Sequence, residues 1–219
     1  MNFFWIYTDI YIKYNQYKYY NMAQISLYYQ TQLENKVSLL PDQMDSDMDE
    51  HLLKNLESKV KGKVIKDGIV LKINRLISYE PGIIPKSNFA STAVYDVKFE
   101  CLICSPTINL TIICVVENII KGYLIAKNGP VTIVIMYNNI NNDKFTIVSG
   151  NIVYNDNKTA VQKGDYIKVS VVNINSSIDE NKILTMCKLI DFATKEEISS
   201  FDNDQILIMG DDTNTQEFI

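Results

Sequence analysis

Apolar and polar residues alternate along most of this chain, and one stretch near residue 50 departs to a helical interval. In GDYIKVSVV, Ile167, Val169 and Val171 alternate with Tyr166, Lys168 and Ser170, which predicts a strand with one buried and one wet face. Stretches at 109–118, 123–127, 131–137, 145–154, 164–174 and 182–192 read as strands on the same grounds. Gly122, Asn128-Gly129-Pro130, Ser149-Gly150-Asn151 and Lys163-Gly164-Asp165 read as the turns between them. Five or six short strands without helical spacing between them predict a small closed barrel rather than a parallel sheet.

The helical interval is Met48, Leu52, Leu53, Leu56 and Val60, one apolar face of an amphipathic helix. Ser46 or Asp47 is placed to cap it, and Asp49 and Glu50 suit its first turn. Lys59 and Lys61 suit its last turn, and Gly62 supplies the stop. Residues 24–33 and 36–40 read as a strand or strand pair ending at Pro41. After the helix, Asp67-Gly68 between apolar runs predicts a two-residue hairpin. Glu80-Pro81-Gly82 reads as a turn, Pro85 opens an irregular loop to about Ser91, and 93–104 is a long strand. The fold class is α+β. A small N-terminal α/β unit over 22–100 precedes an all-β barrel of the oligonucleotide-binding type over 101–195.

Both ends stand apart. Residues 1–21 hold six of the fourteen tyrosines without a clean period, and read as a disordered extension or an over-long start. An aromatic arm that stacks on RNA is the functional alternative. Residues 196–219 carry seven acids and no Lys or Arg, and read as an acidic tail that is mobile at its end. The net charge of -5 therefore belongs to the tail. The barrel is faintly basic, so the acidic total does not argue against binding RNA.

Hydrophobic residues make up 47% and charged residues 21%, as in an ordinary soluble domain. No apolar run approaches the ~18 residues of a membrane span, so no membrane partner is expected. The four cysteines follow no secretory pattern, which points to a reducing intracellular compartment. The abundance of Tyr, Asn, Ile and Lys suits an AT-rich genome such as that of a large DNA virus.

No catalytic constellation emerges. Cys101 and Cys104 form a CxxC, but three residues apart on a strand they point to opposite faces, so they read as core residues rather than zinc ligands. His51 reads as a helix-surface residue with no nucleophile partner. The glycines form no phosphate loop, and Asp45, Asp47 and Asp49 lack the glycine and distal glutamate of a calcium loop. Neither metal nor cofactor is expected. Single-strand-binding barrels stack bases on aromatics and neutralise phosphates with Lys or Arg. Tyr123, Lys127, Tyr137, Tyr166 and Lys168 are of that kind. A Tyr- and Lys-rich β protein would also show such residues on any wet face.

The order of these motifs resembles the seventh subunit of eukaryotic RNA polymerase II and its archaeal counterpart. Strand, proline, helix, glycine and hairpin appear as LYYQTQLENKVSLLP, DMDEHLLKNLESKVKG and KVIKDGIVLKI. EPGIIP resembles the family's tip loop, and VYDVKFECLICSP its long strand into an S1-type barrel, with Val97, Phe99 and Pro106 in place. Gly122-Tyr123 and Gly129-Pro130 resemble the barrel's Gly-aromatic strand start and its Gly-Pro turn. Asn109 departs from the family by standing where a glycine follows the proline.

The resemblance implies a non-catalytic stalk subunit of a DNA-directed RNA polymerase. Its RNP-like tip domain would dock near the clamp, with Gly62, Gly68, Glu80, Pro81, Gly82 and Pro85 at the contact. Its partners would be the largest core subunits, a small shared subunit, a helical second stalk subunit and single-stranded nascent RNA. A viral protein would work in the cytoplasmic factory or virion, a cellular one in the nucleus. The alternative is a free-standing RNA-binding barrel of translation or RNA decay.

Overall fold

The computed structural model describes residues 26–85, 91–156, 158–178 and 180–209. Strand β1 (Tyr28–Leu39) is one continuous strand rather than a pair. It runs in unbroken antiparallel register with β4 (Ala93–Cys104), from Tyr28↔Cys104 to Leu39↔Ala93. The polar stretch Glu34-Asn35-Lys36 therefore stays in the ladder instead of turning. Lys36 and Asp96 sit opposite each other in that register and form an ion pair on the wet face.

Helix α1 (Met48–Val60) packs Leu52, Leu56 and Val60 fully against the sheet. Each such burial contributes roughly 1.5–3 kcal/mol. Asp47 is the N-cap residue, yet no side chain caps the helix: the Asp47 carboxylate accepts from Ser46 Oγ instead, 3.1 Å away. Gly62 ends the helix with φ +73°, and its amide donates to the Val70 carbonyl at 2.7 Å.

The hairpin forms one residue earlier than Asp67-Gly68 predicts. Strand β2 (Val64–Ile65) pairs with β3 (Gly68–Tyr79) through Ile65↔Gly68, so Lys66 and Asp67 make the turn. Gly68 is there for another reason. At φ +138°, a Cβ would lie 2.4 Å from the Cys104 carbonyl oxygen. The segment Glu80-Pro81-Gly82 is not a turn either. It runs extended beside β4, with Glu80 N donating to Asp96 O and Ile83 exchanging both backbone hydrogen bonds with Val94. Gly82 lies against the Tyr95 ring, 2.5 Å from where its Cβ would be. The sheet order is β1-β4-β3-β2.

Strands β5 (Thr111–Ile120), β6 (Tyr123–Asn128), β7 (Val131–Met136), β10 (Tyr166–Asn175) and β11 (Ile183–Phe192) close a barrel in the order β10-β11-β7-β6-β5. The pair β11–β7 is parallel and the others are antiparallel. Asn109 takes φ +66° before β5, a conformation asparagine tolerates in place of glycine. The stretch 145–154 folds as a separate hairpin, β8 (Phe145–Val148) with β9 (Asn151–Tyr154), because Ser149 and Gly150 both take positive φ. It is pinned to the barrel by the Phe145, Tyr154 and Phe192 rings and by an ion pair between Lys144 and Asp191.

Cys101 lies in the core under α1, whereas Cys104 lies in the core shared with the barrel, so the two do face opposite ways. The shared core joins the two units without a free linker. Leu27, Tyr28, Val64 and Ile69 of the sheet pack with the barrel interior, and Val64 N donates to Glu180 O at 2.6 Å.

The first part of the acidic tail is helical, which its sequence reading did not include. Helix α2 (Lys195–Met209) forms from it and lies on the barrel. Phe201 is 9% exposed there, and its ring meets the edge of Tyr166 with centroids 5.6 Å apart. The aromatic extension at 1–21, most of the loop after Pro85 and the end of the tail lie outside the described residues.

Candidate nucleic-acid interface

Strand β6 points Tyr123, Ile125 and Lys127 outward and Leu124 and Ala126 inward, as strand alternation requires. Tyr123 pairs with Met136, Ile125 with Val134 and Lys127 with Thr132, so β7 extends the same outer face. At its end Gly122, Tyr123, Val134, Met136 and Tyr137 line a concavity of about 530 Å³. Tyr123 is 37% exposed and Met136 40%. Tyr137 donates its hydroxyl to the Gly150 carbonyl at 2.8 Å, which ties the β8–β9 hairpin to this rim. Lys127 stands farther along the row, its Nζ 3.9 Å from the Glu117 carboxylate and open to solvent.

The structure thus brings Tyr123, Tyr137 and Lys127 onto one face. Tyr166 and Lys168 are elsewhere. They point outward from β10, but α2 covers them: Tyr166 packs on Phe201, and Lys168 Nζ lies 2.5 Å from Glu197 Oε1. The Lys168 hydrogen bond leads the effects that hold the Glu197 carboxyl below the usual range. Met136 is the residue that sequence reasoning missed on the open face. Its alternation with Val134 and Thr132 was the available signal.

The six tip residues also divide. Gly62 and Gly68 sit at the barrel end of the sheet, and Gly68 is buried. Glu80, Pro81, Gly82 and Pro85 are exposed at the far end, beyond Tyr79. A twelve-residue β3 separates the two groups by roughly 36 Å at ~3.3 Å per residue. The far end carries exposed apolar side chains: Leu40 at 48%, Ile83 at 70% and Ile84 at 55%. Leu40 and Ile83 flank the start of β4 on its two sides. The pair Ile83-Ile84 in an otherwise polar loop was the sequence signal.

All four thiols are buried. Burial pushes Cys101 and Cys187 up to about 11 and Cys104 up to about 12, so they are protonated at neutral pH. His51 Nε2 lies 3.6 Å from Asp45 on the surface of α1. Among the described residues no group of three or more His, Cys, Asp or Glu is placed to hold a metal.

Known proteins are similar to this chain in sequence. The family model for the SHS2 domain found in the N terminus of Rpb7p/Rpc25p/MJ0397 matches residues 34–87. That span covers the second half of β1, all of α1, β2 and β3, and the exposed far end. The provisionally named DNA-directed RNA polymerase subunit L376 of Acanthamoeba polyphaga mimivirus is 61% identical over 199 residues, covering 90% of this chain and 100% of the relative. DNA-directed RNA polymerase subunit Rpo7 of Sulfolobus acidocaldarius is 28% identical over 64% of this chain and 78% of its own. The Saccharolobus solfataricus Rpo7 is 25% identical over 65% and 79%.

Proposed function

We infer that this chain, which belongs to the Rpo7-type family of DNA-directed RNA polymerase subunits, docks on the polymerase core through the far end of its sheet and holds nascent single-stranded RNA on the β6–β7 face of its barrel. One observation carries the reading: an exposed apolar tip (Leu40, Ile83, Ile84) at the far end of the sheet and an exposed concavity (Tyr123, Met136, Tyr137) on the barrel belong to two units joined by a shared core. A protein that only bound RNA would have no use for the first. Isoleucines left in water at a loop are a loss that a docked partner recovers.

The subunit needs no active site for this role. Docking is apolar packing with backbone hydrogen bonds, and holding RNA is base stacking with neutralised phosphates. The open face carries few cations, so the affinity is modest and rests on stacking. Retention near the exit path then comes from the high local concentration of RNA that docking provides.

The test is affinity purification of the tagged full chain from its native source. Large polymerase subunits, a small shared subunit and a helical stalk partner are expected to accompany it, and Ile83→Asp with Ile84→Asp should release the core. Recovery of ribosomal or RNA-decay proteins in place of a polymerase would sink the docking half of the reading.

A further inference from the structure

The outward row Tyr123–Lys127 does not end at β6. Lys127 pairs with Val115 on β5, and Val115 pairs with Tyr166 on β10. A strand of RNA crossing the barrel along this row would next reach Tyr166 and Lys168, an aromatic and a cation. Helix α2 lies over that continuation. Three of its residues at spacing of four make side-chain contacts there, Glu197 with Lys168, Phe201 with Tyr166, and Gln205 with Asn128, and Ile208 is half-buried against the core near the end of the helix. Residues i, i+4 and i+8 share one helix face, so this is a registered seat.

The seat is shallow. Phe201 is the one helix side chain that is buried among the described residues. Ile206 and Leu207 remain exposed at 68% and 65%. A groove of about 950 Å³ runs between helix and barrel, lined by Ile113, Asn128, Lys168, Ser200, Phe201 and Asp204. The helix presents Glu196, Glu197, Asp202 and Asp204 against one lysine of its own, Lys195. It therefore supplies carboxylate where RNA would supply phosphate, and a phenyl ring where RNA would supply a base.

We propose that α2 is a displaceable acidic cover on the RNA path. With it seated, the barrel offers only the β6–β7 face, which is enough for a few nucleotides. A longer strand competes with Glu197 for Lys168 and with Phe201 for Tyr166, lifts the helix and doubles the path. The inference rests on the RNA-binding half of the proposed function and adds its regulation.

The experiment uses the full chain and fluorescein-labelled oligouridines of 4 and 16 nucleotides, read by anisotropy over a salt series. Glu197→Gln with Phe201→Ala unseats the helix, and circular dichroism checks that the barrel is intact. The 4-mer should bind wild type and variant alike. The 16-mer should bind the variant about tenfold tighter, the gain of one added base stack. Its log K against log salt should steepen by about 0.7, the signature of one more neutralised phosphate on a single strand. Adding Lys168→Ala should remove that extra slope. In the wild type, hydrogen exchange across 195–209 should quicken when the 16-mer binds. Equal 16-mer affinity and slope in wild type and variant, or a helix more protected with RNA, overturns the cover while 4-mer binding keeps the site. No binding of either oligomer by any form overturns the RNA site and the cover with it.

Discussion

The Tyr28 hydroxyl donates to Oδ1 of Asn128 at 2.7 Å, joining the first strand of the sheet to the barrel across 100 residues of chain. Asn128 in turn donates from Nδ2 to the Ile113 carbonyl at 2.8 Å and accepts from Gln205 Nε2 at 2.9 Å. Three parts of the molecule, the sheet, the barrel and α2, meet at one buried amide. Burial pushes the Tyr28 phenol well above its usual value, so it stays a donor at any workable pH. Tyr28→Phe is expected to lower stability by about 1–2 kcal/mol, the cost of leaving buried acceptor capacity short of a donor. Urea unfolding of the two proteins measures it, and a change within error would show that Gln205 alone suffices.

Glycine replacements should rank by what the added Cβ meets. Gly68→Ala drives Cβ to 2.4 Å from the backbone oxygen of Cys104, which cannot move without breaking β4. Gly129→Ala meets the Tyr28 hydroxyl at 2.5 Å and breaks the node. Gly62→Ala meets nothing within 4 Å and costs only its left-handed backbone, ~1–2 kcal/mol. Thermal denaturation should order them Gly62, Gly129, Gly68 from mildest to most severe. A Gly68 variant as stable as the Gly62 variant would contradict the close approach.

Asp191 makes an acid-sensitive latch between the β8–β9 hairpin and the barrel. Burial raises its carboxyl, but hydrogen bonds from Lys144, the Phe192 amide and Tyr154 outweigh that and leave it below the usual value. A folded pKa below the unfolded one means the stabilisation is present above about pH 4 and is lost as pH falls through the folded value. Asp191→Asn should therefore be less stable than wild type at neutral pH, with the gap closing as pH falls below the usual carboxylate range. Chemical denaturation across that range reads it, and a gap independent of pH would remove the carboxylate as cause.

On the open face, Tyr123→Ala should weaken single-stranded RNA binding by about 1–3 kcal/mol, the usual worth of one stacked base. Tyr123 is exposed, so the melting temperature should hardly move. Anisotropy titration and calorimetry on the same preparation separate the two effects. Unchanged affinity would place the RNA elsewhere.

The four cysteines should resist a water-soluble thiol reagent in the folded protein. Each is buried, and burial lifts Cys104 to about 12, so almost no thiolate is available. All four should react in denaturant, as a timed absorbance assay would record. Rapid labelling of the native protein would mean that the cores open easily.

Much of the architecture was legible because it rests on local period. Alternation marked the strands of the barrel, and Leu52, Leu56 and Val60 marked the one helix with a clean apolar stripe. The opposite facing of Cys101 and Cys104 followed from strand geometry alone. The motif order that carries the resemblance is likewise written in linear spacing. Helix α2 was not legible, since its sequence is acidic and its apolar residues spread over several faces. Its single buried ring acquires meaning only against Tyr166, thirty-five positions earlier.

The sequence by itself determined which residue types line which face of each element, because side-chain direction in a strand or helix depends only on neighbours a few positions away. Tertiary structure alone decided which of those faces meet water. Tyr123 and Tyr166 read alike, each an outward tyrosine at a strand start, yet one is open and the other lies under α2. Gly62 and Gly68 read alike as tip glycines, yet both fall at the barrel end and only Gly68 is pressed against another backbone. Such differences arise from contacts between segments tens of residues apart. Those contacts are made by whichever packing buries the most apolar surface without orphaning a polar group, and no local pattern records that outcome.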